Sequence, residues 1–374
     1  MKILHVDTEK KRPSIREDRT AEIFRWDIDN AYPSTIANLI DASVTAKNCV
    51  DKSAKAMFGK GTRNGFTIIN RKNETLNDVI RSTVREYIKY NNLFLWVHYN
   101  ANYEVDAVQS VPAQYIRVGR QDDHQYSGKY VYYPNWDYSL KSKSYNRKDF
   151  QYIDSFNPIK DIVRAQVEEA GGIRKYKGQI LHVQKYPHHI YSLSDAHSII
   201  SEMVAESNAG EFKMKGTTDG FIQTKVLVVQ PFNNDQDRTD FKKELAEIQG
   251  VENAGSIILL ESSTATEDLE NQLKLKDLTS EHNDKLFEYT ENSVEKAICK
   301  AFNVPIVMVN PDSQSLFGQS GETYEIVRNI MWQEREEERL KIEEALTRIL
   351  VHYKDPGILE DGRINIVNNM EDNL

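Results

Sequence analysis

Histidine, the commonest metal ligand among side chains, is crowded into one stretch of this chain, with His182, His188, His189 and His197 inside residues 182–197. A metal site needs its ligands to converge, by i,i+4 spacing on a helix or fixed loop spacing, with a carboxylate or thiolate completing the shell. Here the pattern puts His182 on a strand, His188 and His189 in a loop after Pro187, and His197 on a helix. That reads as a partly exposed strand-to-helix crossover, with packing against a neighbouring protomer as the second reading. Carboxylates cluster as Glu261, Glu267 and Asp268, and again as Glu334, Glu336, Glu337 and Glu338. They would do acid–base work only if burial raised a pKa. They lie instead in runs carrying both signs, the mark of a solvated helix face. Pairs such as Glu337 with Lys341 and Glu344 with Arg348 have i,i+4 spacing, worth a few tenths of a kcal/mol each. Gly59-Lys60-Gly61 and Gly216 to Gly220 lack the spacing and terminal lysine of a phosphate loop and read as a helix cap and a turn. Cys49 and Cys299 are far apart in sequence, which argues against a disulfide scaffold and a zinc knuckle. No Ser-His-Asp, Cys-His or metalloprotease pattern occurs. The residues point away from an enzyme and imply no cofactor and no metal.

Aromatic and basic residues are interleaved at Tyr126, Tyr130, Tyr132, Tyr133, Trp136 and Tyr138, among Lys129, Lys141 and Lys143. Such a set can stack single-stranded bases. Tyrosines at a subunit interface explain the same residues, since tyrosine buries area while its hydroxyl stays wet. The interface is the preferred reading.

At 374 residues the chain has length for two or three compact units. Hydrophobic residues make up 39% and mean hydropathy is −0.62, which suits an elongated protomer better than a sphere. No apolar run reaches the about 20 residues that span a bilayer, and the start turns polar after Met1 to Val6, without a signal-peptide core. A soluble protein made in a cytoplasm is expected, with no membrane partner. The net charge of −9 is the reverse of the basic footprint of a duplex-gripping protein. It fits a partner other than nucleic acid, or a conduit along which DNA slides without sticking. Screening would confine the repulsion to roughly 8–10 Å.

Residues 1–30 alternate short apolar runs with charge clusters and read as an arm that orders on a neighbour. A helix is predicted from Pro33 to Met57, stopped by Gly59 and Gly61. A short strand follows at Phe66–Ile69, then a helix with Leu76, Val79, Ile80, Val84, Tyr87 and Ile88 on one face. A hairpin joins Leu93–Tyr99 to Tyr103–Ser110. Further strands are Gln114–Val118, Tyr130–Tyr133, Phe150–Ile153 and, after a charged connection over 157–178, Ile180–Val183. Ser192 to Asp195 has capping-box spacing and opens a helix through Met203 and Val204 to Gly216. Strands at Gly220–Val229 and Asn253–Leu260 flank a short helix capped by Asp237.

The stretch His282–His352 carries the most information. Leu286, Val294, Ala297, Ile298, Ala301 and Phe302 form one apolar stripe. Asn303 and Pro305 stop that helix. Val304 to Val309 is a buried elbow, Asn310 to Gly321 is a polar loop, and Glu322 opens a helix running to about His352. This order of stem helix, Val-Pro elbow, loop and long helix resembles the C-terminal half of tailed-bacteriophage portal proteins. The helix, strand-rich block and Leu-His-Val strand before it, and Asn253-Ala254-Gly255 opening a hydrophobic strand, are similar to the same family.

The resemblance implies an α+β portal-type protomer with a β-rich wing, two stem helices, a small α/β clip, a tunnel loop and a long C-terminal helix. On this sequence the pieces fall at 1–30 (arm), 31–191 (wing), 192–215 (stem helix), 216–265 (clip), 266–302 (return to the second stem helix), 303–321 (elbow and tunnel loop), 322–352 (long wing or crown helix) and 353–374 (short tail). It implies a homo-oligomer, a dodecameric ring at one capsid vertex of the virion assembled in the host cytoplasm. Its partners would be the terminase large subunit, the major capsid protein, a head-completion or adaptor protein, and double-stranded DNA passing without sequence readout. Asn310, Asp312, Ser313, Gln314, Ser315, Gln319 and Ser320 are then the DNA-facing loop residues, and Glu202, Glu206, Glu288, Glu291 and Glu295 the channel-lining stem residues. The family's proline inside the long helix is missing: Gln333-Glu334-Arg335-Glu336 stands there, which leaves the usual bend without its cause. The alternatives are a nucleic-acid-processing phage enzyme and another ring-forming virion protein such as an adaptor.

Overall fold

A computed structural model describes residues 12–120, 128–136, 147–187, 189–218, 226–229, 236, 239–240, 243, 258–261, 283–310 and 321–368. The chain divides into a larger unit, residues 1–204 with 295–374, and a smaller one, residues 205–294.

In the larger unit the helix expected from Pro33 to Met57 is two helices, α1 (Tyr32–Ala42) and α2 (Val44–Phe58). Ser43 divides them: its backbone is extended and its hydroxyl accepts the Ala46 amide at 3.0 Å. A serine in this position satisfies an orphan amide of a new helix start, which competes with continuing the old one. Gly59 closes α2 at φ +53°, and a Cβ there would stand 2.3 Å from the Val367 carbonyl oxygen. Only glycine admits so close an approach. The helix α3 (Leu76–Tyr90) opens on a Thr75–Asp78 capping box and ends on a left-handed Asn91. The strand expected at Phe66–Ile69 is reduced to one bridge between Ile68 and Thr75.

The strands β1 (Ile15–Asp18) and β2 (Ile23–Trp26) form an antiparallel hairpin. Six more form one mixed sheet: β3 (Asn92–Tyr99), β4 (Val105–Val111), β5 (Ile116–Val118), β6 (Lys129–Tyr132), β7 (Gln151–Ser155) and β8 (Gln179–Gln184), in the order β4-β3-β8-β7-β6-β5. All neighbours are antiparallel except β7 with β8. A parallel pair needs a long crossover. The charged connection at 157–178 supplies it as a helix, α4 (Lys160–Glu169), which buries Val163 and Val167.

Two sequence expectations are corrected here. Residues 12–30 are not an arm awaiting a neighbour: Ile23 and Trp26 are buried in the core. Tyr191 stacks on Trp26 at 4.1 Å and bridges β2 and β5, donating to the Phe24 carbonyl and accepting from the Val118 amide. The fully buried Arg117 completes the tie by donating to the Asn30 carbonyl at 2.7 Å. Charged residues hid a hairpin whose apolar positions are few but large. Next, Tyr133 and Trp136 are neither a subunit interface nor a base-stacking platform; with Ala21, Ile23, Val131 and Phe150 they form a core cluster of this chain. Tyr126 and Tyr138 lie outside the described residues. Residues 353–368 of the short tail are packed: Tyr353, Ile358, Ile364 and Ile366 are buried and the Ile366 amide donates to Glu343 at 2.7 Å.

The helices α5 (Ile200–Thr218) and α6 (Asn283–Ala301) carry the chain out of the larger unit and back. Inside the smaller unit β9 (Val226–Val229) and β10 (Ile258–Glu261) pair in parallel, Val226 opposite Ile258. The rest of the segment expected to be a clip lies largely outside the described residues. The long helix expected over 322–352 is corrected too: it is α7 (Gly321–Glu334) and α8 (Glu336–Leu350), broken at Arg335.

Candidate functional site

The end of α6 and the elbow after it lie in the larger unit. Ile298 and Phe302 of the predicted stripe are buried, and so is Cys299 beside them. Asn303 then turns left-handed at φ +50°, a conformation asparagine tolerates better than most residues. Its amide donates to the Lys300 carbonyl and that of Val304 to the Cys299 carbonyl, at 3.2 and 2.9 Å. These two bonds make a Schellman closure, and both Val304 and Cys299 are buried. Pro305 caps a single helical turn, Ile306–Val309, of which only Met308 is buried.

The Phe302 carbonyl is left over by that closure, and the Arg335 guanidinium donates to it. The same side chain donates to the Ser53 hydroxyl at 3.1 Å and to both carboxylate oxygens of Glu338 at 3.3 and 3.4 Å. Arg335 leaves helical geometry to do so (φ −97°, ψ 11°). This is the physical reason that the long helix breaks without a proline. The neighbouring Arg339 lies 3.6 Å above the Trp332 ring and donates to the Trp332 carbonyl.

Glu338 continues the network. Lys185 Nζ stands 3.5 Å from it and 3.0 Å from Asp195, at the root of α5. Burial opposes the Lys185 charge, yet the charge and hydrogen bond of Asp195, with Glu338 beyond, raise its pKa above the ordinary ammonium value. Asn91, the left-handed end of α3, donates to Asp195 and to the Leu193 carbonyl, both at 2.8 Å. The start of one candidate stem helix and the end of the other are thus moored to the same body through Asp195, Lys185, Glu338 and Arg335.

Of the sequence-predicted site residues, two come together: Asn310 donates to Glu295 at 3.2 Å, joining the loop's first residue to α6. Glu202 and Glu206 are half-buried on α5, and Glu291 is exposed on α6. Glu288 falls on the backbone of α6, its side chain outside what is described. Asp312, Ser313, Gln314, Ser315, Gln319 and Ser320 lie outside the described residues. Among the described residues no group of three or more His, Cys, Asp or Glu is placed to hold a metal ion. His182 stacks on Phe94 at 4.3 Å, with its Nε2 3.2 Å from Asn92 Oδ1. Burial pushes its pKa down to about 3. Cys49 and Cys299, remote in sequence, touch as buried thiols 3.9 Å apart. Sequence reading missed Arg335 and Lys185, and their signal is faint. Arg335 and Arg339 share an i,i+4,i+7 stripe with Ile342, so the arginine stems occupy core positions of α8.

The fold is a mixed α+β one, and solved structures share it. Among solved structures, a chain of the virion of a native gene transfer agent (GTA) particle matches with TM-score 0.51 at 12% identity, over 91% of this chain and 84% of that one. A chain of the neck of a native GTA particle computed with C12 symmetry matches with TM-score 0.48 at 14% identity, over 85% and 81%. An HK97-family phage portal protein from Corynebacterium diphtheriae matches with TM-score 0.42 at 12% identity, over 87% and 92%. At such identities the likeness is one of fold. No protein-family model and no curated protein matches the chain.

Proposed function

We propose that this chain is a portal-type structural subunit, many copies of which form a ring at one capsid vertex and conduct double-stranded DNA. One observation carries the reading: two 19-residue helices, α5 and α6, bracket a small unit containing a parallel strand pair, and both are moored in one α+β body. The likeness in fold to a chain of a GTA virion supports it. In this reading α5 and α6 are the stems, residues 216–265 the clip, and 303–321 the elbow and tunnel loop. The wing begins at the N-terminal hairpin instead of at residue 31. Glu202, Glu206, Glu288, Glu291 and Glu295 give the bore an acidic wall whose repulsion dies within about a Debye length, roughly 8–10 Å. DNA is kept from sticking without being excluded. Asn310 and the polar loop residues after it make passing contacts with phosphate oxygens, which carry no sequence information. The Asn310–Glu295 bond fixes the loop's first residue to the stem. The clip and wing edges would meet the terminase large subunit, a head-completion or adaptor protein and the major capsid protein. The role is structural, with ATP hydrolysis supplied by the terminase.

Electron microscopy of the purified full chain tests this. Ring-shaped particles with an axial hole are expected, dodecameric in the virion, and a monomer or small dimer at high concentration refutes the proposal. Shortening Gln314–Gly318 is expected to spare the ring and impair DNA packaging or retention. Normal packaging by that variant removes the loop from the mechanism.

A further inference from the structure

The turn Asn70–Lys72, the β3–β4 hairpin and the turn Ile173–Tyr176 enclose a cavity of about 580 Å³ within the larger unit. His98 and Ala107, opposite one another in the antiparallel register, line it, as does the buried Tyr99. Three exposed cations, Arg71, Lys72 and Arg174, line it as well. Several exposed arginines elsewhere on the chain are each held by a carboxylate. Arg63 pairs with Glu360, Arg81 with Asp78, Arg85 with Asp51, Arg120 with Glu17 and Arg164 with Asp161. Among the described residues, Arg71, Lys72 and Arg174 have no carboxylate within ion-pair distance. The carboxylate that does line the cavity, Asp106, is held by Lys354 at 2.7 Å.

Like charges gathered around one concavity repel each other, and a bound anion relieves that repulsion. Burial, with the Arg71 charge, lowers the His98 pKa to about 4. The ring is therefore neutral at physiological pH and offers one N–H donor beside the cations. Two guanidinium forks and an ammonium match a tetrahedral oxyanion, because each fork can take two of its oxygens.

We propose that this cavity binds a phosphate-type oxyanion, held by Arg71, Arg174 and Lys72 with the His98 ring as a neutral donor. The site does not depend on the portal reading. Its anion has two sources of the same chemistry, a free phosphate-bearing small molecule and the backbone of duplex DNA.

The test uses the full chain, titrated by calorimetry with inorganic phosphate and by fluorescence polarisation with a short duplex DNA. Each is repeated on the charge-reversed R71E/R174E double variant, on Arg174→Gln, and on an Arg63→Glu control that removes a cation elsewhere. Saturable binding is expected, weakened about tenfold or more by the double variant, less by Arg174→Gln, and not by the control. Bound anion should also raise the His98 titration midpoint followed by NMR. Phosphate binding that duplex cannot displace assigns the small-molecule source. Duplex binding that phosphate competes away assigns the DNA backbone. The proposal is overturned if the wild-type chain binds neither probe saturably, or if the double variant binds as well as wild type. It is equally overturned if the Arg63→Glu control loses as much as the double variant. Both pocket arginines are exposed, and an unchanged anion-free melting curve separates a lost site from a lost fold.

Discussion

Replacing Arg335 by methionine keeps the unbranched stem and removes every hydrogen bond that the guanidinium makes. The side chain is 7% exposed and its partner Glu338 is 15% exposed, so what remains is buried. The Phe302 carbonyl loses the donor that the Schellman closure does not supply, a loss of about 1–3 kcal/mol for a buried polar group left unmade. Ser53 loses its guanidinium partner, while Glu338 keeps Lys185, which limits the charge left uncompensated. Together these give a loss of about 3–5 kcal/mol, the range for removing one partner of a buried pair. At about 2–4 °C per kcal/mol for a domain of this order of size, the melting temperature should fall by roughly 6–20 °C. The damage should also be local. Hydrogen exchange read by mass spectrometry should speed up at the amides of residues 303–310, and much less in β3 and β8 under native conditions. Arg335→Lys should land between the two, because one ammonium cannot serve a carbonyl and a carboxylate fork together. A methionine variant within 1 kcal/mol of the parent, with exchange at the elbow unchanged, would refute the reasoning.

Three further outcomes are expected. Trp26→Ala should destabilise the chain by about 3–5 kcal/mol, since the ring is buried and stacked on Tyr191; a dispensable arm would show no loss in a denaturant titration. Glu86 accepts the Ala113 amide at 2.8 Å, and burial raises its pKa from 4.5 to about 7. The folded state therefore holds that proton more tightly than the unfolded one, and its contribution to stability declines as pH rises from 4.5 through about 7. Glu86→Gln, which keeps the acceptor and cannot ionise, should gain up to about 3 kcal/mol at pH 8 and nearly nothing at pH 4, read from paired melts. Cys49 and Cys299 are both buried, so a thiol reagent should label neither in the native chain and both in denaturant.

How much of this was legible in the sequence follows from how each element announces itself. The capped helix at Leu76–Tyr90 and the alternating strands β3, β4 and β8 have strong periodicity and were placed within a residue or two. The Val-Pro elbow was legible because proline and asparagine have fixed backbone habits. Ser43 was missed because a mid-helix serine and a capping serine look alike until the chain's direction on either side is known. The hairpin at 12–30 was missed because its stability comes from contacts far along the chain, Tyr191 and Arg117, that no local pattern records. For the candidate site, the Asn310–Glu295 meeting could be anticipated only as two separate lists. Arg335 was counted as one more charge in a solvated run, although its guanidinium is among the most enclosed cations described.

The interruption between α7 and α8 has a mechanical consequence. A proline deletes an amide for good, so a rod bent by one stays bent. Here the amide ladder resumes at once, Arg339 donating to the Arg335 carbonyl at 3.0 Å, and the break is held by a side chain that grips the neighbouring helix end. Letting go of the Phe302 oxygen would leave nothing covalent to stop residues 321–350 from joining into one continuous helix. The joint at Arg335 is therefore latched, not welded.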